Sequence, residues 1–343
     1  MEEKKTLMDL LDKPEDLKVE DLPVPSGVSK KIIEAIKEPV VDDGVYSYNE
    51  LAEKVKSMPP VPKISSGHDC MDETVDGGFH GGELIVLSGP TKSGKTSFTQ
   101  SMSYFQAIKN IPSLWFTLEM SWQELTRKFM LMEESSFSGS LTLPIFYPID
   151  NRNISLEWLE KQIVYAQKNQ GVKMVYIDHL HFLLSLSETT GSNASFLVGG
   201  IVRALKQMAV RLDIPILLIA HTKKIDTDKI PDMNSPRDSS FVVQESDFTF
   251  IIFREREKVS STKQKDFDIM NSENIYTDRT IVSLEAARRG SGSKRMAFGM
   301  FNNLFYPYQE YLSIKSQSEN EEILSNIDSN DGRLEEARDK IND

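Results

Sequence analysis

Short apolar runs alternate with amphipathic stretches through the middle of the chain, from Lys63 to about Tyr308. The apolar runs predict buried strands, and the stretches with helical spacing predict helices. Such alternation is typical of an α/β fold in which a mostly parallel sheet carries helices on both faces. Ligands bind such sheets at the C-terminal ends of the strands. The predicted strands are Leu84–Ser88, Ser113–Thr117, Met174–Ile177, Ile214–Ala220, Phe248–Phe253 and Arg279–Glu285, and the predicted helices are Ser97–Lys109, Trp122–Met132, Leu156–Asn169 and Ser195–Arg211.

The two ends of the chain have a different character. Residues 1–62 are rich in Glu, Lys, Asp and Pro, and this extension is too short to hold a core of its own. It has helical spacing at Ser29–Lys37 and Ser47–Ser57, and Ser47 with Glu50 predicts a capping box. Residues 311–343 are strongly acidic and predict a disordered tail. The sequence therefore predicts three parts: 1–62 with a linker helix, 63–310 as the main α/β domain, and 311–343 as a tail. Within the domain, Ile225–Asp238 and Lys258–Asp278 are polar and predict loops.

The strongest local signal is a Gly-rich loop that fits the pattern G-x-x-x-x-G-K-[ST]. It follows a predicted strand and precedes a predicted helix, which is the setting in which loop amides and a helix N-terminus hold a di- or triphosphate. The Lys95 amine can reach the terminal phosphates, and the Thr96 hydroxyl can ligate Mg²⁺. The predicted nucleotide contacts are Gly89, Pro90, Thr91, Lys92, Ser93, Gly94, Lys95, Thr96 and Ser97.

Overall composition narrows the class of protein. The formal net charge is -12, which disfavours a protein that coats nucleic acid by bulk charge but allows a local basic strip. The single cysteine, Cys70, excludes an internal disulfide and suits a reducing compartment. No signal peptide or membrane-spanning run is evident, so we expect a soluble, cytoplasmic protein without a membrane partner.

Three predicted strands end in polar residues that suit phosphate chemistry. Asp178 ends an apolar strand and would hold the Mg²⁺ water shell opposite Thr96. Glu119 follows a second strand, where a carboxylate could deprotonate an attacking water, or could simply face solvent at a helix start. His221 ends a third and could donate to a γ-phosphate, although a lone histidine at a strand end is often structural.

The order of these motifs resembles the RecA-like motor domain of the DnaB-type replicative ring helicases, over about Ile64 to Tyr308. Leu118–Ser121 resembles that family's Ser-Leu-Glu-Met element, and Ile177–His181 (Ile-Asp-His-Leu-His) resembles its Ile-Asp-Tyr-Leu-Gln. Arg203–Lys206 matches its Arg-x-Leu-Lys. His221 resembles the His of phage and mitochondrial ring helicases, where bacterial ones have Gln.

Two later elements of the resemblance concern DNA and the neighbouring subunit. Pro236–Asp247 is similar to the family's channel-lining element, which implies DNA contacts by Arg237, Asp238, Ser239 and Ser240, and nucleotide sensing by Gln244. Glu285–Gly290 resembles the element that carries the arginine finger, which implies that role for Arg288, with Arg289 as the alternative. Ala286 stands where the family has Lys.

The resemblance implies an ATP hydrolase that uses Mg²⁺ and works as a homo-hexameric ring helicase, translocating 5′ to 3′ on single-stranded DNA. It implies catalytic roles for Lys95, Thr96, Glu119, Asp178, His221 and Arg288, with Mg²⁺ held by Thr96 and Asp178. Primase or a helicase loader is a candidate partner. The short N-terminal extension is typical of a reduced phage or mobile-element relative. A RecA-like ATPase that mediates recombination, or that regulates or loads a helicase without unwinding DNA, remains the alternative.

Overall fold

The computed structural model describes residues 46–136, 142–149, 154–180, 194–222, 239–257, 275–290 and 294–320. The chain separates into two compact units, Met1–Pro60 and Val61–Asp343. In the first unit, helix α1 (Tyr48–Ser57) begins at Ser47, whose hydroxyl accepts from the amide of Glu50 while the Glu50 carboxylate accepts from the amide of Ser47. The predicted capping box is therefore present. The predicted helix at Ser29–Lys37 lies outside the described residues.

The second unit is built on a nine-stranded sheet in the order β3-β2-β4-β5-β1-β6-β7-β8-β9. The strands from β3 to β6 run parallel, and β6 to β9 pair antiparallel. The strands are β1 (Leu84–Gly89), β2 (Ser113–Thr117), β3 (Ile145–Phe146), β4 (Met174–Asp178), β5 (Ile216–His221), β6 (Phe248–Glu257), β7 (Ile275–Ala287), β8 (Lys294–Phe301) and β9 (Leu304–Pro307).

Helices cover both faces of this sheet. They are α2 (Asp69–Thr74), α3 (Lys95–Ile108), α4 (Trp122–Ser136), α5 (Leu156–Gln170), α6 (Ala194–Leu212), α7 (Ser239–Glu245) and α8 (308–320). One apolar cluster joins Ile85 and Leu87 to α3 and α4, and a second joins Leu84 and Val86 to α5 and α6. Successive β1 side chains point to opposite faces, so the whole strand is buried. The fold is therefore the predicted α/β architecture. In the described ranges, no helix combines the length and the apolarity needed to cross a membrane.

The predicted strands and helices of the main domain all form, with small shifts at their ends. Six elements in the described part of the domain were not predicted: the strands β3, β8 and β9 and the helices α2, α7 and α8. The predicted polar excursion at Lys258–Asp278 ends earlier than expected, because β7 begins at Ile275. The predicted loop at Ile225–Asp238 lies outside the described residues.

Helix α7 forms where the sequence indicated only a polar segment before a strand. Tertiary packing explains it, because Val242 is fully buried in the cluster beneath α6. A Cβ added at Gly199 on α6 would lie 2.9 Å from the Phe241 ring, which shows how closely the two helices approach. A helix of only seven residues gains little stability from its local sequence, so the sequence alone did not indicate it.

The acidic tail begins later than residue 311. Residues 308–320 are helical, and Tyr311 is buried with its hydroxyl donating to Asp278 Oδ2 at 2.9 Å. The Tyr308 hydroxyl donates to the other oxygen of Asp278. A Cβ added at Gly299 would lie 2.1 Å from the Tyr311 ring, so α8 packs directly on β8. An apolar and aromatic anchor thus extends the folded part beyond the predicted boundary.

His68 gives the fold a testable pH dependence. Its ring lies among Phe98, Phe105 and Phe298, and burial lowers its pKa from 6.5 to about 3. Between about pH 3 and pH 6.5, His68 is therefore protonated in the unfolded chain but neutral in the folded chain. The free energy of unfolding must fall as pH falls through this window, by at most about 1.4 kcal/mol per pH unit from this group.

We expect His68→Leu to reduce the loss of stability between pH 6.5 and pH 5, measured by urea unfolding at each pH. An unchanged pH slope in the variant would contradict this assignment.

Candidate nucleotide and hydrolysis site

The phosphate loop joins β1 to α3 through two left-handed residues. Lys92 has φ of 64° and Gly94 has φ of 92°. Gly94 precedes the first residue of α3, where a side chain would be strained. Such a turn points successive amides inward and forms a concavity that suits an anion. At the loop's start, a Cβ on Gly89 would lie 2.3 Å from the carbonyl oxygen of Ile252, so glycine is required there by space.

Hydrogen bonds to neighbouring groups fix the Lys95 and Thr96 side chains at the end of the phosphate loop. Lys95 is buried, and its Nζ donates to the carbonyl oxygens of Gly89 and Pro90 at 2.9 Å each. Burial lowers the pKa of Lys95 to about 8. The Thr96 hydroxyl donates to Asp178 Oδ2 at 2.8 Å, which joins the helix start to the end of β4.

The Thr96–Asp178 pair fits a hydrated divalent cation. Asp178 is buried, and its Oδ1 has no hydrogen-bond partner among the described residues. Burial raises the pKa of this carboxyl group. A buried carboxylate oxygen beside a hydroxyl, next to a phosphate loop, is the ligand set that Mg²⁺ prefers. The predicted metal residues therefore lie together.

Strand register brings the remaining candidates to the same edge. Gly89 pairs with His221, and Thr117 pairs with Asp178. Glu119, two residues past the end of β2, is half exposed, and its Oε2 lies 3.5 Å from His179 Nε2. The rings of His179 and His221 meet edge to face with centroids 4.4 Å apart. Glu119 and His221 thus lie near each other, and His179 joins them.

His179 was not predicted as a site residue. The only signal in the sequence is its position directly after Asp178 at a strand end. That signal identifies a neighbour of the site but not the direction of the side chain.

The two candidate finger arginines have different surroundings. Arg289 is held inside its own chain: Nε donates to Glu83 Oε1 at 2.6 Å, Nη2 donates to the Gly78 carbonyl at 2.7 Å, and Nη1 donates to the Val75 carbonyl. Its guanidinium also lies 5.1 Å from the centre of the Phe248 ring. These contacts hold the Arg289 side chain inside its own chain, next to the start of β1.

Arg288 is half exposed and more loosely held. Its Nη2 donates to the Gln244 carbonyl at 2.7 Å, and its Nη1 lies 3.4 Å from Asp247 Oδ1. Asp247 has stronger partners, because its Oδ2 accepts from the Leu84 amide and from Lys206 Nζ, each at 2.7 Å. Arg288 is therefore the arginine whose side chain can leave its present contacts.

The predicted DNA contacts are only partly described. Arg237 and Asp238 lie outside the described residues. Ser239 and Ser240 are the first two residues of α7, although the directions of their side chains are not described.

Comparisons with known proteins identify the family of this chain. The family model described as "DnaB-like helicase C terminal domain" matches residues 63–142 and 139–299. This chain belongs to that family. The replicative DNA helicase DnaB of Leifsonia xyli is 24% identical over 223 residues, which cover 58% of this chain and 48% of the relative. That of Rickettsia bellii is 23% identical over 307 residues, covering 78% and 60%. The chain thus spans roughly half the length of most curated relatives that it matches.

Solved structures show the same fold. A structure described as the ATPase domain of another protein superposes with a TM-score of 0.61 at 17% identity, covering 78% of this DnaB-like chain and 99% of the other. A DnaB-like replicative helicase, described together with its interactions with primase, superposes with a TM-score of 0.59 at 16% identity, covering 80% and 70%. These likenesses show a shared RecA-like fold over about four fifths of this chain.

The different settings of the two arginines in this DnaB-like domain can be tested by stability. Arg289→Ala would leave Glu83 buried without its partner, so we expect a loss of about 3 kcal/mol or more in unfolding free energy. Arg289→Lys should recover little of it, because a lysine cannot reproduce the forked contacts. Arg288→Ala should cost at most about 1 kcal/mol, since its ion pair is half exposed. The measurement is denaturant unfolding of all three variants, and equal losses for Arg288→Ala and Arg289→Ala would refute the distinction.

Proposed function

We propose that this chain is the ATP-hydrolysing motor of a DnaB-type replicative DNA helicase, which assembles as a homo-hexameric ring and translocates on single-stranded DNA. The observation that supports this most is the meeting of the phosphate loop, the Thr96–Asp178 pair and Glu119 at neighbouring strand ends. A nucleoside triphosphate, a divalent cation and an attacking water could all bind at this place.

In this proposal each residue has one task. Lys95 exchanges its bonds to the loop carbonyls for bonds to the terminal phosphates, and loop amides from Gly89 to Ser97 hold the remaining oxygens. Thr96 and Asp178 would hold Mg²⁺, which when bound would neutralise charge on the phosphate oxygens. Glu119 takes a proton from the attacking water. His221 and Gln244 respond to loss of the γ-phosphate.

Arg288 is the residue through which we expect one subunit of the ring to act on the next. Its half-exposed guanidinium would stabilise charge at the nucleotide of the adjacent subunit. The first unit offers a second contact, because α1 exposes Tyr48, Leu51 and Val55 on one side. We propose that this apolar side packs on a neighbouring copy as a linker helix.

DNA contacts and further partners rest on the family resemblance. Residues 237–240 would line the channel and contact the DNA backbone, and translocation would run 5′ to 3′. Primase or a helicase loader is a candidate partner, supported by the description of one similar solved structure.

One observation supports a second candidate function. Ala286 occupies the β7 position where the resemblance leads us to expect lysine, and it pairs with Thr249 in the sheet. Its methyl group carries neither the positive charge nor the hydrogen-bond donor with which a lysine could bind a phosphate oxygen. A chain with a weaker shared site could bind ATP and regulate or load another helicase, or mediate recombination, without unwinding DNA. Strand separation on a forked duplex distinguishes the motor from these alternatives.

The deciding experiment measures ATP turnover with and without single-stranded DNA. We expect DNA to stimulate the wild type, and Glu119→Gln and Arg288→Ala each to lower stimulated turnover by about 100-fold or more, because one removes the base and the other the cation shared between subunits. Glu124→Gln and Arg211→Ala are the matched controls, since both side chains lie on the exposed surface, and they should retain the wild-type rate.

Two results would contradict the motor. One is turnover that ignores single-stranded DNA. The other is full activity of Arg288→Ala, which would remove the reason for hydrolysis between subunits. ATP binding without DNA-stimulated turnover would favour the regulatory alternative.

A further inference from the structure

Three side chains of types that can ligate a metal ion converge at the strand ends near the phosphate loop, in addition to the Thr96–Asp178 pair. They are Glu119, His179 and His221, and one donor atom from each lies within 4.8 Å of the other two. They lie at or just past the ends of three strands, β2, β4 and β5, which are neighbours in the sheet.

The spacing matches a first coordination sphere. Nitrogen and oxygen ligands bind zinc at about 2.0–2.2 Å, so two ligands of a tetrahedral ion lie about 3.4 Å apart. Glu119 Oε2 and His179 Nε2 are 3.5 Å apart. All three donor atoms lie within 4.8 Å of one another, and rotation of the side chains can shorten the remaining separations toward about 3.4 Å. One side remains open to solvent, because the Glu119 side chain is 50% exposed.

The donor types select a class of ion. Two imidazoles and one carboxylate suit Zn²⁺, Co²⁺, Ni²⁺ or Cu²⁺, whereas Mg²⁺ prefers an all-oxygen shell that keeps its waters. The Thr96–Asp178 pair provides only oxygens. Two chemically different cation sites can therefore lie next to each other at one edge of the sheet.

Two of the three donors belong to positions where this sequence differs from the bacterial pattern. His179 stands where the motif has tyrosine, and His221 stands where bacterial ring helicases have glutamine. Neither tyrosine nor glutamine is a common zinc ligand. His221 also matches the histidine of phage and mitochondrial ring helicases, so His179 is the donor that departs from the motifs quoted above.

We propose that Glu119, His179 and His221 form a binding site for one divalent transition-metal ion of the zinc class. The ion takes three protein ligands and leaves a fourth position to water. Both histidines bind as neutral imidazoles, so any proton on them is released to solvent as the ion enters. A Glu119 carboxylate bound to the ion cannot accept a proton from an attacking water. Metal binding and ATP turnover are then mutually exclusive, a consequence that rests on the proposed function, whereas the site itself does not.

The test uses the full chain, stripped of metal with a chelator and without nucleotide. Co²⁺ is the probe because its visible absorption reports coordination by nitrogen ligands. We expect one equivalent to bind with a saturable visible band, and Zn²⁺ to displace it. His179→Gln and His221→Gln should each weaken binding by at least about 10-fold, which is the smaller cost of losing even an outer-shell partner.

His80→Gln is the matched control, because His80 precedes β1 and is not among the three donors. It should bind Co²⁺ as the wild type does. Glu119→Gln covers the case in which a histidine variant loses its fold, since its side chain is half exposed and its size is kept. Absence of a saturable band, or equal affinity in the wild type and in the Glu119, His179 and His221 variants, would overturn the proposal.

A second measurement connects the site to turnover. Under saturating MgATP, Zn²⁺ should inhibit the wild type at the concentrations that displace Co²⁺, and His179→Gln should need at least about 10-fold more. If Zn²⁺ binds without inhibiting turnover, the metal site is supported, but the claim that metal binding and ATP turnover exclude each other is refuted. Failure of ATP turnover itself would concern the motor and not the metal site, because Co²⁺ binding is measured without ATP.

Discussion

The parallel pairing of β1 with β5 is the constraint on which the candidate site depends. It runs without interruption from Leu84 with Ile216 to Gly89 with His221. Because side chains alternate between the two faces of a strand, a slip of one residue would exchange the two buried faces of β1. Both faces are fully covered, so that slip would disrupt two apolar clusters at once. The phosphate loop therefore begins at a fixed position along the strands, next to His221 at the end of β5.

The same constraint explains which parts of the fold the sequence could predict. The central strands are buried on both faces and appear as continuous apolar runs, which composition alone identifies. By contrast, β8 alternates and opens with Lys294 and Arg295, so it looks polar. The turn between β8 and β9 did carry a local signal. Asn302 and Asn303 both have positive φ, as a type I′ hairpin turn requires, and asparagine is among the residues that tolerate this conformation.

The site shows a similar division between local and tertiary information. The phosphate loop and Asp178 could be predicted because each is a short pattern with its own strand or helix beside it. The choice between Arg288 and Arg289 could not, because it depends on Glu83, more than two hundred residues earlier in the chain. His179 could not be predicted either, since only the fold brings its ring against His221 and Glu119. In each case the missing information is a contact between distant segments.

The surroundings of Arg288 bear on how a ring of this chain could cycle. A finger that reaches a neighbour must leave Asp247 behind, and a buried carboxylate without a partner is costly. Asp247 escapes that cost, because the Leu84 amide and the Lys206 amine remain on its Oδ2 at 2.7 Å. Release would break the 3.4 Å contact with Asp247, the longest of the three, and the 2.7 Å hydrogen bond to the Gln244 carbonyl. That second bond lies at the exposed surface, where water can replace the guanidinium. Release of Arg288 should therefore cost little, while the anchor of β1 stays intact. A residue held in this way can alternate between its own chain and the next one without disturbing the sheet that carries the phosphate loop.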